Sequence, residues 1–182
     1  MGAPAPAAVV SGEVVTRLRP ALPEEQALLA RWRDEPASEF DDLAGGAAPQ
    51  RRDRPLDEPP PGAGELVVTD GRDVLLGTVG WRTVAYGPNQ GSTALNVGIS
   101  LRPHGRGAGH GTRAQRMLAE YLFLSFPVHR LEATTDVDNV AEQRALARAG
   151  FVREGVLRGA QWRHGAWHDL AQYSRLRTDA PT

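Results

Sequence analysis

The residues best suited to chemistry lie in a glycine-rich loop near the middle of the chain. Every second residue from 105 to 111 is glycine, and Arg106 stands near the start of this run. An apolar segment at 95–101 precedes the loop and a helical pattern follows it. Glycine lets the backbone approach a ligand closely, and a helix start offers unpaired N–H groups with partial positive charge. The loop therefore predicts a phosphate site, to which the Arg106 guanidinium could add a charged hydrogen bond.

Two other phosphate-binding loops do not fit this spacing. A Walker-type loop needs Gly-Lys-Ser/Thr, and the chain contains no lysine. The dinucleotide pattern Gly-x-Gly-x-x-Gly is not met by glycines that alternate. The pattern that fits is Arg-x-x-Gly-x-Gly, at Arg106, Gly109 and Gly111. For the loop taken alone, a simple tight turn built from glycines remains the alternative.

A second candidate site precedes a short helix predicted over 140–149. Asn139 stands at the N-cap position and Glu142 follows three residues later, which is the spacing of a capping box. The capping box is the favoured interpretation of Glu142, and a catalytic acid is the alternative. The role of Asn139 stays open between the two, because a cap can also reach a cofactor amide.

Acidic residues cluster after the first predicted helix. That helix begins at Pro23, and its buried face should hold Leu28, Leu29 and Trp32. The acidic residues that follow are Asp34, Glu35, Glu39, Asp41 and Asp42. A solvated surface is the favoured interpretation of the cluster. The alternative is that Asp34, Glu39 and Asp41 gather a cationic amine substrate, which would stay protonated there until a nearby base acts.

Composition excludes several classes of protein. The chain has 182 residues, which suits one domain with a sizeable core, and its net charge of −1 argues against nucleic-acid or anionic-membrane partners. The absence of cysteine removes disulfides, thiolate catalysis and cysteine-bound zinc. His164 and His168 have no third ligand in view, so no metal site is predicted. No apolar run reaches membrane-spanning length and the N-terminus lacks the basic start of a signal peptide, so a cytoplasmic protein is expected.

The remaining patterns divide the chain into elements. We expect a flexible N-terminus at 1–12, a single domain at 13–177 and a tail at 178–182. Strands are predicted at 13–18, 65–69, 74–86, 95–101 and 130–135, with a hairpin turn at 70–71. The segment 44–64 is rich in proline, glycine and arginine and reads as a long loop: a lid or specificity segment, or solvated charge.

A second hairpin is predicted over 153–176, with its turn at Gly165. Its aromatic residues are Trp162, Trp167 and Tyr173. Residues of this kind in an alternating pattern are expected in the core or at a subunit interface, and an acceptor pocket is the alternative.

Three stretches together resemble the GNAT superfamily of N-acetyltransferases. They are the Arg-x-x-Gly-x-Gly loop, the early segment "ALLARWRDEP" and the later segment "DNVAEQRALARAGFVREG". The resemblance runs from about Arg17 to Leu176 and points to the ribosomal-protein-alanine (RimJ/RimL-like) branch. It implies an α+β GNAT fold: a mixed, twisted sheet of about six or seven strands, with helices on both faces. It also implies a splayed acyl-CoA cleft between the 95–101 and 130–135 strands.

The resemblance also implies a set of site residues. The expected acyl-CoA contacts are Ser100, Leu101, Arg106, Gly107, Ala108, Gly109, His110, Gly111, Thr112 and Asn139. The candidate catalytic residues are Glu142, Glu39 and Asp34. Backbone groups near Ser100 would bind the pantetheine amides and the loop would bind the pyrophosphate. No metal is expected.

The implied function is acetyl-CoA-dependent transfer of an acetyl group to a primary amine, by direct attack in a ternary complex. Two departures from the family pattern leave an alternative: Glu142 stands where that branch usually has serine, and Leu146 where other branches have a tyrosine acid. The alternative is a non-catalytic acyl-CoA-binding GNAT-like module or partner protein. The acceptor would be a small amine or a protein N-terminus, and a homodimer is left open.

Overall fold

The sequence folds into one mixed sheet with α-helices on both of its faces. The computed structural model describes residues 14–35, 37–40, 62–89 and 91–179. The strands are β1 (Thr16–Arg19), β2 (Ala63–Asp70), β3 (Leu75–Ala85), β4 (Thr93–Leu101), β5 (Arg130–Asp136), β6 (Val152–Arg163) and β7 (Ala166–Leu176). The helices are α1 (Gln26–Asp34), α2 (His110–Ser125) and α3 (Val140–Arg148). Short 3-10 turns at Pro23–Glu25 and Pro103–Gly105 precede α1 and the glycine loop.

Local sequence signals account for the turns. The predicted hairpin at 70–71 is confirmed, and the Asp70 carboxylate accepts the N–H groups of Arg72 and Val74 at 2.8 and 2.9 Å. The predicted turn at Gly165 is also confirmed, because His164 and Gly165 have φ angles of 50° and 79° between β6 and β7. Predicted features at 1–12, at 41–61 and at 180–182 lie outside the described residues.

The strand order is β1-β2-β3-β4-β5-β7-β6. Strands β1 to β4 form an antiparallel meander, and β5, β7 and β6 form a second antiparallel group. The two groups meet where β4 runs parallel to β5. The expected mixed sheet of six or seven strands is therefore confirmed.

The parallel junction opens after two residue pairs. β4 and β5 are in register at Leu95 with Leu131 and at Asn96 with Glu132, and the pairing stops there. Both strands continue, β4 to Leu101 and β5 to Asp136, so they separate as they run. A splay leaves backbone N–H and C=O groups on the facing edges without a strand partner. The expected splay between these strands is confirmed.

The two faces of the sheet carry different helices. α2 packs Leu118 and Leu122 into a core with Val79 and Trp81 of β3. α1 lies on the other face, since Arg33 reaches Glu65 at 2.8 Å and Glu65 alternates with the core residue Leu66. Within α1, Leu29 is buried, whereas Leu28 and Trp32 are half-buried rather than fully buried as expected.

Candidate active site

The splay between β4 and β5 widens into a cleft of about 750 Å³. One wall is 97–101 of β4 and the other is 133–136 of β5. The glycine loop and the first turns of α2 and α3 close one end. Residues 38–40, together with Gln161 and Leu170 of the β6–β7 hairpin, line the rest.

The glycine loop has the backbone conformation that its residue types allow. Gly107 and Gly109 have φ angles of 79° and 83°, in the left-handed region that favours glycine. Gly109 is also the N-cap of α2, which therefore begins without a side-chain cap and without an acidic residue in its first turn. The first turn of a helix leaves N–H groups without intrahelical partners. The cleft thus ends at an uncapped helix start that suits an anion.

Arg106 holds the loop in place. Its Nε donates to the Leu101 carbonyl at 2.8 Å, and its Nη2 donates to the Ala37 carbonyl at 2.7 Å. These bonds tie the loop to the end of β4 and to the segment after α1. Because two guanidinium nitrogens are engaged in this way, backbone N–H groups are the main donors left for an anion.

His110 and Ala108, unlike the other predicted cofactor residues, do not line the cleft. The His110 side chain is buried, and its Nδ1 lies 2.9 Å from the Thr16 hydroxyl of β1. Burial and then the charge of Arg113 lower the pKa of His110. The Ala108 carbonyl accepts from Arg113 Nη1 at 3.2 Å. The predicted cofactor residues that line the cleft are Ser100, Leu101, Arg106, Gly107, Gly109, Gly111, Thr112 and Asn139.

Only half of the predicted capping box forms at α3. The Asn139 side chain accepts the Glu142 N–H at 3.2 Å, as an N-cap should. The N–H of Asn139 instead donates to the Asp136 carbonyl at 3.0 Å, so the Glu142 carboxyl is not its partner. Glu142 lines the cleft, and burial raises the pKa of its carboxyl to about 7.

Gln115, which sequence reasoning missed, lies beside Glu142. It is 2% exposed, lines the cleft and sits four residues after Gly111 in α2. Burial has the larger effect on the pKa of Glu142 and raises it, whereas proximity to Gln115 lowers it. Its amide oxygen and nitrogen have no hydrogen-bond partner within 3.5 Å among the described residues. A polar residue within the apolar face of α2 was the signal that could have revealed it.

A buried ion pair at the end of β5 was also missed. Asp136, which lines the cleft, is bonded to Arg163, and His168 Nδ1 lies 3.1 Å from the same carboxylate. Burial alone would raise the pKa of Asp136, but the Asp138 N–H and the Arg163 guanidinium hold it below its usual value. The Phe40 ring lies 5.8 Å from the Arg163 guanidinium carbon and covers the pair. His168 is therefore half-buried and in contact with this ion pair.

The acidic cluster contributes one described residue to the cleft. Glu39 lines the rim and is exposed, whereas Asp34 is an exposed residue at the end of α1 and does not line the cleft. Glu35 pairs with Arg102 at 3.5 Å. Asp41 and Asp42 lie outside the described residues.

Two arginines of α3 line the cleft near the glycine loop. Arg144 and Arg148 are exposed and four residues apart, which places them on one face of the helix. Sequence reasoning missed this pair, although the spacing was visible beside Asn139. Leu146, at the position of the family's tyrosine, is 1% exposed and belongs to the core.

The aromatic residues of the β6–β7 hairpin differ in burial. Tyr173 is buried in the core as expected, but Trp162 and Trp167 are 52% and 66% exposed. The two indoles pack edge to face at 5.4 Å. They lie on the hairpin face opposite to Gln161, which lines the cleft. Neither tryptophan lines the cleft.

The part of the chain that the structure describes contains neither a metal-binding cluster nor a membrane-spanning helix. Within 14–35, 37–40, 62–89 and 91–179, no group of three or more His, Asp or Glu side chains is arranged to hold a metal ion. In those ranges no helix combines the length and apolar character that crossing a bilayer requires.

The sheet, its splay and the glycine loop define a family. The acetyltransferase (GNAT) domain matches residues 16–152, so the chain belongs to the GNAT acetyltransferase family. Among curated relatives, the chain is 34% identical over 113 residues to the probable N-acetyltransferase YjcK of Bacillus subtilis, covering 62% of this chain and 61% of the relative. It is 29% identical over 100 residues to the uncharacterized N-acetyltransferase YoaA of the same organism, covering 55% and 54%. The chain thus spans less than two thirds of these relatives.

Solved structures agree with the fold. The ribosomal-protein-S5-alanine acetyltransferase of Vibrio fischeri is 30% identical with a TM-score of 0.57, covering 64% of this chain and 63% of that one. The spermidine N-acetyltransferase of Vibrio cholerae, in complex with CoA and spermine, has a TM-score of 0.68 and covers 90% of this chain and 96% of that one. Its identity is 17%, so this second likeness shows the fold alone.

Proposed function

We propose that this chain is an acetyl-CoA-dependent N-acetyltransferase that transfers an acetyl group to a primary amine by direct attack in a ternary complex. The observation that carries the proposal is the splayed cleft, which ends at an uncapped helix start and is lined by the half-buried Glu142, whose pKa is raised to about 7. One end suits a phosphate group, and the middle holds a group that can exchange a proton near neutral pH.

The donor would occupy the loop end of the cleft. The free edge of β4 at Ser100 and Leu101 supplies backbone groups for the pantetheine amides, much as an added strand would. The N–H groups at the start of α2 would bind the pyrophosphate. Arg144 and Arg148 would pair with a further phosphate of the donor, since both side chains are exposed along the same rim. The Vibrio cholerae enzyme with the same fold is in complex with CoA, which supports this choice.

Glu142 would carry the proton during transfer. An amine is mostly protonated at neutral pH and must lose a proton before it attacks the thioester carbon. A carboxyl whose pKa is about 7 is partly ionised there and can accept that proton. Glu142 releases this first proton to solvent. As the C–N bond forms, nitrogen gives a second proton to the Glu142 carboxylate, which passes it to the departing thiolate as the C–S bond breaks. Backbone N–H groups of β4 would stabilise the tetrahedral oxyanion, and holding both reactants in one cleft lowers the entropic cost.

The acceptor would enter from the opposite mouth. The exposed Glu39 carboxylate stands at that rim and suits a cationic amine. Relatives named for ribosomal-protein alanine and for spermidine both act on amines, which supports a primary amine as the acceptor class.

The test is thiol release from acetyl-CoA in the presence of a panel of primary amines, including alanine-terminated peptides and polyamines. We expect turnover with at least one amine, and loss of most of it in Glu142→Gln with CoA binding retained. The alternative is a non-catalytic acyl-CoA-binding module. CoA-induced thermal stabilisation without turnover of any amine would favour that alternative.

We also propose that the protein works in the cytoplasm.

We propose further that two copies of the chain associate through β6. β6 is the last strand of the described sheet, so its outer backbone groups have no strand partner in that part of the chain. Val152, Val156 and Leu157 on this strand are between 41% and 61% exposed. An exposed, apolar edge strand is a template for pairing with another chain.

A further inference from the structure

Gln115 is a buried amide in a position that otherwise calls for an apolar residue. Its neighbours on the buried face of α2 are Ala114, Leu118, Ala119 and Leu122. Gln115 itself is 2% exposed. A buried polar side chain without hydrogen-bond partners destabilises the folded protein. An apolar side chain would avoid that cost, so packing alone does not explain a glutamine here.

The Gln115 amide has no hydrogen-bond partner among the described residues, but Glu142 is its neighbour in the cleft. Neither its oxygen nor its nitrogen makes a hydrogen bond within 3.5 Å among the described residues. It lines the cleft together with Glu142, and α2 packs against α3 where the two side chains meet. Asn139 caps the Glu142 N–H, which fixes the backbone but leaves the carboxyl in the cleft. The two side chains therefore approach each other from two separate helices.

We infer that Gln115 is a positioning residue whose amide N–H turns to donate to the Glu142 carboxylate when that group ionises, and that it keeps the proton carrier directed into the cleft. The inference rests on the proposed function, in which Glu142 moves the proton. It extends that function to a residue on a different element. An amide suits this role because it donates without carrying a charge or a titratable proton of its own.

Among the described residues, no charged group is a cause of the pKa shift of Glu142. The charged residues that line the cleft are Glu39 after α1, Arg106 in the loop, Asp136 of β5, and Arg144 and Arg148 of α3. Burial raises the pKa of Glu142, and Gln115 opposes that effect by favouring the ionised form. Removing its N–H group should therefore leave the effect of burial unopposed.

The experiment compares the parent with Gln115→Leu and Gln115→Met, which keep the size of the side chain and remove the amide. We expect the ascending limb of the kcat–pH profile to move up by about 0.5–1 pH unit. At pH 7 this corresponds to a fall in kcat of about two- to fivefold, because about half of the Glu142 carboxyl is ionised there in the parent. KM for acetyl-CoA should stay within about twofold of the parent. In a Glu142→Gln background, Gln115→Leu should produce no further shift.

Gln143→Leu is the matched control. Gln143 lies next to Glu142 in α3, donates to the Val137 carbonyl at 2.7 Å and does not line the cleft. Its replacement should lower the melting temperature and leave the pH limb in place. If Gln115→Leu behaves in the same way, or raises only the KM for acetyl-CoA, the positioning role is wrong.

A direct titration separates this inference from the proposed function. The carboxyl carbon of Glu142 can be followed by NMR in the free parent and in Gln115→Leu, with Glu142→Gln used to assign the signal. A higher midpoint in Gln115→Leu supports the inference, and an unchanged midpoint overturns it. These two results hold even if the parent turns over no amine, an outcome that would overturn only the proposed function. Gln115→Met provides the same measurement if Gln115→Leu does not fold.

Discussion

Glu142 and Asp136 both line the cleft, and they differ in the direction of their pKa shifts, because burial raises the pKa of Glu142 whereas that of Asp136 is lowered. Asp136 is bonded to Arg163, and Glu39 is exposed to solvent. Glu142 is half-buried, has its N–H capped by Asn139 and lines the cleft. The capping box explains why α3 starts here, and it does not explain the position of the carboxyl. A single residue thus contributes its backbone to the helix start and its side chain to the cleft.

The free energy of unfolding should depend on pH in a way that reveals the raised pKa of Glu142. The folded pKa of Glu142 is raised to about 7 from 4.5, so its stabilising effect is complete below the unfolded pKa and is lost as pH rises through 7. Relative to Glu142→Gln, we expect the parent to lose up to about 3 kcal/mol between pH 4 and pH 8. Urea unfolding at both pH values measures this difference. Glu120→Gln, at an exposed carboxylate of α2, is the control and should follow the parent. If the free energies of unfolding of the parent and of Glu142→Gln change equally with pH, the raised pKa assigned to Glu142 is wrong.

Recognition of the acceptor is also a question about single residues. Glu39 lines the rim of the cleft, whereas Asp34 carries the same charge outside it. We expect Glu39→Gln to raise KM for a cationic amine about three- to tenfold, because a carboxylate at the rim attracts the ammonium group. Asp34→Asn should leave KM unchanged, and acetyl-CoA affinity should be unaffected in both. Steady-state kinetics at low salt measure these constants. Equal effects of the two changes, or none, would reduce the acidic cluster to a solvated surface.

At the scale of elements, the glycine loop joins β4 to α2 and sets the end of the cleft. Its geometry depends on the left-handed backbone of Gly107 and Gly109 and on the two bonds that Arg106 makes to carbonyls. The loop is therefore positioned by its neighbours as well as by its own glycines. A phosphate group would meet backbone N–H groups whose direction is already set.

Gly107 and Gly87 form a matched pair for testing this loop. Both have positive φ, at 79° and 96°, and a Cβ at either would meet nothing within 4 Å. Only Gly107 lines the cleft. Gly107→Asp and Gly87→Asp should therefore cost similar stability, since the backbone strain is similar.

The expected difference between the two variants lies in ligand binding. Acetyl-CoA should raise the melting temperature of the parent and of Gly87→Asp, because a ligand selective for the native state stabilises it. Gly107→Asp should lose that rise, since its carboxylate repels the phosphates. Thermal unfolding with and without acetyl-CoA measures both effects. A normal ligand shift in Gly107→Asp would remove the loop from the donor site.

At the scale of the whole molecule, the two edges of the sheet differ. β1 has four residues, whereas β6 has twelve and carries exposed apolar side chains. A long apolar edge is a favourable surface for a second copy of the chain. The cleft opens between the two antiparallel groups of strands, so pairing through β6 would leave it accessible.

Leu157 and Leu124 provide the test of self-association. Leu157 lies on β6 at 44% exposure, and Leu124 lies near the end of α2 at 89% exposure. We expect the parent to be a dimer, Leu157→Arg to be a monomer because the charge disrupts an apolar interface, and Leu124→Arg to remain a dimer. Light scattering coupled to gel filtration gives the masses. A monomeric parent, or a dimeric Leu157→Arg, would exclude pairing through this edge.

The order of elements and the donor end of the cleft could be predicted from the sequence because their signals are local. Periodic apolar residues mark each helix and strand, and turn residues such as Asp70 and Gly165 separate them. The spacing of Arg106, Gly109 and Gly111 is confined to one loop. Family resemblance then supplied the strand pairing and the splay, which a local pattern does not contain.

Only the tertiary structure decided the chemistry of the side chains in the cleft. Gln115 meets Glu142 across two helices, and Arg163 reaches Asp136 from 27 residues away. Burial is a collective property of everything packed around a group, so the raised pKa of Glu142 could not be read from a capping box. For the same reason, the sequence placed Asp34 and Glu39 in one acidic cluster, whereas the fold brought only Glu39 to the cleft. Local spacing determined where the helices begin, and packing between distant segments determined which side chains meet the substrate.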